Sequence, residues 1–139
     1  MLTYHLPQII DKDAIPHTTG VFIMLLEMCK AKISNACVTA CELHYEGSIT
    51  IDAKILKASG ILPFEKVQVV NLNNGNRFET YVILGKPGSG EICLNGPAAR
   101  LGYVGDLIHI ISYAFMEPQE AKGFKAKVIK LDGHNSIKN

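Results

Sequence analysis

The apolar positions of this chain fall in short runs, and Gly, Pro and Asn separate one run from the next. Lys30, Lys32 and Ser34 interleave with Ala31, Ile33 and Asn35, a weak period of two that predicts a strand over Cys29–Ala36. Ala36–Cys41 is small and apolar, a second strand or a continuation of the first. Ser48–Ile51 predicts a strand, and Asp52 can then cap a helix over Ala53–Ser59 that stops at Gly60. Pro63 discourages a helix and marks a connector. Val67–Leu72 is apolar nearly throughout and predicts a strand buried on both faces. Asn73-Asn74-Gly75-Asn76 is the best hairpin signal, returning through a strand over Arg77–Leu84.

The later chain continues in the same manner. Strands are expected at Glu91–Leu94, at Leu107–Ala114 and at Lys125–Leu131, the last an edge or final strand with lysines alternating against apolar residues. A short helix starts at Pro97 and ends by Gly102, and Glu117–Lys122 makes one helical turn. Residues 132–139 read as a polar tail. Many short strands with two or three short helices predict a mainly β chain, closed or nearly closed into a small barrel. Residues 1–23 follow neither period. They are expected to be an N-terminal extension, either disordered or the product of an upstream start, ahead of a single domain over 24–139.

A chain of 139 residues suits one domain with a real core. A net charge of +1, without a Lys/Arg cluster, gives no footing for nucleic acid. No apolar run approaches a membrane span, and Val21–Leu26 lacks the basic flank and cleavage site of a signal peptide. The four cysteines are unevenly spaced and read as reduced thiols of a cytoplasmic protein. Cys37, Cys41 and His44 lack the second ligand pair that a zinc site needs, so no metal is expected.

The candidate chemistry lies at Gly47-Ser48, between two strand-like runs where a plain hairpin would show Asn-Gly or Asp-Gly. Glycine lets other groups approach its carbonyl. A serine hydroxyl directly after it can attack that carbonyl, turn the amide into an ester and break the chain there. The plain alternative is a β-turn with a solvated serine.

His44-Tyr45-Glu46-Gly47-Ser48 with Asp52 resembles the self-cleavage segment of the pyruvoyl-dependent aspartate 1-decarboxylases. Three further blocks recur in order: Asn74-Gly75 with Arg77-Phe78 and Thr80-Tyr81, then Asn95-Gly96 with Ala98-Ala99, then Gly105-Asp106. The similarity runs from about residue 28 to about residue 128, and Met24–Met28 looks like the start of family members. It implies a double-psi β-barrel assembled as a homotetramer. It also implies cleavage between Gly47 and Ser48, with Ser48 becoming a covalent pyruvoyl group, spontaneously or with a maturation factor. Such a group is an electron sink of the kind side chains cannot supply; the resemblance implies that it forms a Schiff base with L-aspartate and yields β-alanine and carbon dioxide, a step feeding pantothenate synthesis.

By the same resemblance, Thr80 stabilises the oxyanion during processing and Tyr81 returns the proton to the substrate carbon. Strand alternation sets Thr80 and Tyr81 on opposite faces, so their joint use requires a bulge, a strand end or a subunit interface. Arg77 and Lys32 match the substrate cations, with Arg77 expected on the side-chain carboxylate. Asn95, Gly96, Ala98, Ala99 and Tyr45 match pocket residues. One departure is Ser34-Asn35, where many relatives carry His-Arg. Two alternatives stay open: a non-catalytic barrel that binds or assembles, and a pyruvoyl decarboxylase of another acidic amino acid.

Overall fold

Local sequence sets the edges of the elements closely. The computed structural model describes residues 23–139, so the expected extension lies outside the described residues except for Ile23. The strands are β1 (Leu26–Cys37), β2 (Ala40–Glu42), β3 (Ser48–Asp52), β4 (Lys66–Asn71), β5 (Arg77–Gly85), β6 (Ile92–Asn95), β7 (Leu107–Met116) and β8 (Lys127–Lys130). Two short helices, α1 (Ala53–Ser59) and α2 (Pro118–Gly123), and a 3-10 turn over Gly96–Arg100 complete the chain. Helix α1 is bounded as expected: the Asp52 side chain accepts from Lys54 N, and Gly60 closes the helix at φ 76°.

The strands form one mixed eight-stranded sheet in the order β2-β6-β3-β5-β4-β7-β1-β8. Three neighbours are parallel, β1 with β8, β2 with β6 and β3 with β5, and the remaining pairs are antiparallel. Ile33, Ile49, Ile51, Val69, Val82, Ile92, Leu94, Ile108 and Ile110 are fully buried and form the core. This set, β-branched apart from Leu94, suits a pleated, packed surface. Truncating any one of these isoleucines to Ala is expected to cost about 2–5 kcal/mol.

Three expectations are corrected. Val67–Leu72 is not buried on both faces: within β4, Val67, Val69 and Asn71 are buried while Lys66 is exposed and Gln68 and Val70 are half-buried. The core covers one face only, so the strand alternates although Val70 and Leu72 disguise it. The alternation assumed for β1 fails at Ser34, which is buried, because the register against β7 shifts between Ile33 and Ala36 and Asn35 takes φ 60°. The C-terminal tail is docked rather than merely polar. Leu131 bridges Ile137, and the buried Asn135 donates to the carbonyls of Cys37 and Gly90 at 2.8 and 2.7 Å.

Candidate active site

Gly47-Ser48 opens β3, where two strands and a turn converge. Ser48 pairs with Asn95 across the antiparallel β3–β6 ladder, and Thr50 pairs with Cys93. Paired residues share a face of a sheet. The Asn95 carboxamide, itself buried, donates through Nδ2 to Ser48 Oγ at 2.9 Å and to Thr50 Oγ1 at 2.8 Å. Ser48 is wholly buried, and its hydroxyl donates to the Glu46 carbonyl over a long 3.5 Å. A solvated turn serine is therefore not what the chain contains.

Gly96 is required by this corner. It has φ +64°, and a Cβ there would stand 2.6 Å from the Tyr45 carbonyl oxygen and 2.9 Å from both Cα and N of Gly47. All three obstacles are backbone, so no side chain can be accommodated without moving the Gly47-Ser48 step. Pro97 then stands against Gly47, with its Cδ 3.5 Å from where a Gly47 Cβ would lie.

A cleft of about 330 Å³ opens beside Gly47 and is lined by Phe78, Glu79, Thr80, Tyr81, Pro97, Ala98 and Leu101 as well. Consecutive residues of β5 border it together, although the β4–β5 register from Val70–Arg77 to Lys66–Tyr81 is unbroken. The reason is that β5 outruns its other neighbour. Pairing with β3 begins only at Ile49–Val82, so residues 77–81 present an edge, and an edge is bordered by both faces. Among the expected solutions this is the strand end, not a bulge. Tyr81 also stacks on Phe64, whose ring centroid lies 6.4 Å away, and Phe64 is held at φ 66°.

The other expected site residues divide. Gly47, Thr80, Tyr81 and Ala98 meet at the cleft, and Asn95 and Gly96 hold Gly47-Ser48 from behind. Ala99 is half-buried in the 3-10 turn and does not line the cleft, and Tyr45 is 58% exposed and contributes its carbonyl rather than its ring. Arg77 and Lys32 stand elsewhere. Arg77 is level with Val70 and His109, while Lys32 is level with Ile111, Gln68 and Glu79, so the two cations share the outward face of β5-β4-β7-β1. Lys32 lowers the pKa of His109 after burial, which is the larger cause, and His109 Nδ1 accepts from Asn35 N at 3.2 Å.

Strand alternation had a further signal in it. Thr50 and Cys93 stand two residues from Ser48 and Asn95, and both meet Asn95. The blocks Asn74-Gly75 and Gly105-Asp106 serve as scaffold instead: Asn71 Nδ2 donates to Asp106 Oδ2 at 2.8 Å, and Asn74 Nδ2 donates to the Leu101 carbonyl at 3.0 Å. These bonds tie the β4–β5 hairpin to the loop that walls the cleft.

Fold and corner together define a small mainly β protein in which a half-buried glycine at a cleft precedes a buried serine. The aspartate decarboxylase family model matches residues 24–138. The chain is 59% identical over 114 residues to the aspartate 1-decarboxylase of Pelotomaculum thermopropionicum, covering 82% of this chain and 86% of that one. It is 57% identical over 112 residues to the aspartate 1-decarboxylase of Thermoanaerobacter pseudethanolicus, covering 81% and 96%. The enzyme of that name from Carboxydothermus hydrogenoformans is 59% identical over 114 residues, covering 82% and 90%. The chain belongs to the aspartate decarboxylase family.

Proposed function

We propose that this chain is the proenzyme of a pyruvoyl-dependent aspartate 1-decarboxylase, a cytoplasmic carboxy-lyase that converts L-aspartate to β-alanine and carbon dioxide for pantothenate synthesis. The observation that carries the reading is the buried Ser48 hydroxyl, directly after Gly47, with the Asn95 amide aimed at its oxygen. Ser48 Oγ attacks the Gly47 carbonyl carbon, the C–N bond breaks, and the hydroxyl proton passes to the released nitrogen. Loss of the Ser48 Cα proton then expels the Gly47 carboxylate, and water replaces the nitrogen as ammonia, leaving the pyruvoyl group on residue 48.

The residues present fit that group. Oγ departs with the Gly47 carboxylate, which would free Asn95 Nδ2 as a donor beside the group, and Gly47 lines the cleft. When formed, the group supplies the electron sink for decarboxylation. Thr80 lines the same cleft as Gly47 and donates to the oxyanion of processing, while Tyr81 there holds the proton for the substrate carbon. Asn95 and the amides about Gly96, Ala98 and Ala99 supply neutral donors.

Arg77 and Lys32 bind the two carboxylates. Because both stand on the outward face, the reading assigns them to the cleft of a neighbouring copy, within a homotetramer of processed chains. Half-buried Val70 and Ile111 and the exposed Tyr113 and Phe115 on β4 and β7 support an interface there. The three parallel strand pairs, each needing a crossover, support the double-psi barrel.

Intact mass measurement under denaturing conditions tests the cleavage: two fragments meeting between Gly47 and Ser48, the larger with a ketone at its start, are expected. A single chain after prolonged warming removes the reading unless a maturation factor restores cleavage. Arg77→Ala is expected to process normally and raise KM at least about tenfold. Mixing Arg77→Ala with Ser48→Ala subunits through reversible dissociation should restore part of the activity, since each supplies what the other lacks. No restoration in verified mixed assemblies would place the cations within a single chain's site.

A further inference from the structure

The mechanism above makes no use of Cys93, which is buried with its Sγ 3.3 Å from Asn95 Oδ1. Asn95 is thus held at three points, two hydroxyls on Nδ2 and one thiol on Oδ1. Half a turn about the last side-chain bond exchanges the nitrogen and oxygen of a carboxamide with little change in shape. The hydroxyls of Ser48 and Thr50 do not forbid that exchange, because each can donate as well as accept. A thiol does discriminate, since it offers an S–H to an oxygen and its sulfur accepts poorly.

The consequence reaches the nucleophile. With Oδ1 toward Cys93, Ser48 Oγ receives an N–H and turns its own proton toward the Glu46 carbonyl. In the exchanged orientation Ser48 would give its proton to Oδ1, and its oxygen would lose the donor that stabilises the negative charge it gathers as its proton departs.

We infer that Cys93 is a positioning residue for self-cleavage, acting through Asn95 to keep an N–H on Ser48 Oγ. The inference rests on Gly47–Ser48 being the cleaved bond, with Oγ joining the Gly47 carbon, the C–N bond breaking and the hydroxyl proton moving to the freed nitrogen. Burial, followed by the charges of Glu42 and Glu91, pushes the Cys93 thiol up to about 11, so it remains an S–H donor through the neutral range.

Freshly purified chains are followed by intact mass over time, alongside thermal melting. Cys93→Ala is expected to slow cleavage about tenfold, the scale of one lost charge-dispersing hydrogen bond. Cys93→Ser, which restores a donor, should return the rate to within about threefold of the parent. In an Asn95→Ala background, Cys93→Ala should change nothing further, because its route to Ser48 is gone. Cys93→Val, closer in volume, serves if the alanine variant does not fold. Parental rates in Cys93→Ala and Cys93→Val overturn the inference. So does a serine variant as slow as the alanine one at equal melting temperature, or an undiminished effect without Asn95. An unmodified parent chain that never cleaves overturns instead the reading on which the inference rests.

Discussion

Ser48 and Asp52 close the two ends of β3, and both are buried, yet their surroundings differ in kind. Asp52 is saturated: Oδ1 accepts from Lys54 N at 2.8 Å and Gly88 N at 2.9 Å, and Oδ2 accepts from Gly90 N at 2.8 Å. Burial alone would raise its pKa, but the amides of Gly90, Gly88 and Lys54, helped by the Lys54 ammonium, outweigh it and hold the carboxyl below its usual range. Ser48 receives one good hydrogen bond from Asn95 and makes only a long one to Glu46. A saturated buried group fastens turns to a strand end. An under-committed hydroxyl beside glycine has a lone pair and a proton available for chemistry.

The largest expected effect is at the serine end. Ser48→Ala should abolish cleavage while costing only about 1 kcal/mol, since one good and one long hydrogen bond are lost; recovery of cleaved variant would refute the proposed bond chemistry. Asp52→Ala is the mirror case. It removes a helix cap and the charged acceptor of the Gly88 and Gly90 amides and should cost about 2–3 kcal/mol in chemical unfolding, with cleavage retained in the folded fraction. A loss no greater than that of Ser48→Ala would erase the distinction between the two ends.

The acid limb sharpens it further. Because the folded pKa of Asp52 lies below its unfolded value, the unfolded chain takes up the proton first as pH falls. Its stabilisation is therefore full above roughly pH 4, near the unfolded carboxyl value, and is lost as pH drops through the folded one. Asp52→Asn should flatten that part of a stability–pH curve, and an unchanged curve would show that other carboxylates govern it. The smallest effect is expected at Phe64→Asn. Relief of its positive φ should offset the lost stacking on Tyr81, leaving stability within about 1 kcal/mol. Turnover should fall about threefold if the ring helps aim Tyr81, and an unchanged kcat would assign Phe64 to shape alone.

Much of the fold was legible because the signals were local. Asp52 and Gly60 bracket α1 at the expected residues, and the Asn-Gly hairpin joins β4 and β5. Asn135 was not legible, since its partners Cys37 and Gly90 lie far away in the chain. Val70 hid the alternation of β4 for a related reason: burial depends on what covers each face, not on the strand's own composition.

For the site, the sequence by itself determined the reactive step, because Gly47 and Ser48 are covalent neighbours and need no fold to be adjacent. It also determined the family, since the ordered motif blocks persist in any conformation. Tertiary structure decided the rest. Only the β3–β6 register brings Asn95 and Cys93 to Ser48, and only the late start of β3 against β5 lets Thr80 and Tyr81 border one cleft. It also set Arg77 and Lys32 on the face away from the core, three strands apart in the sheet. Strand register is a property of pairs of segments, so no single segment carries it.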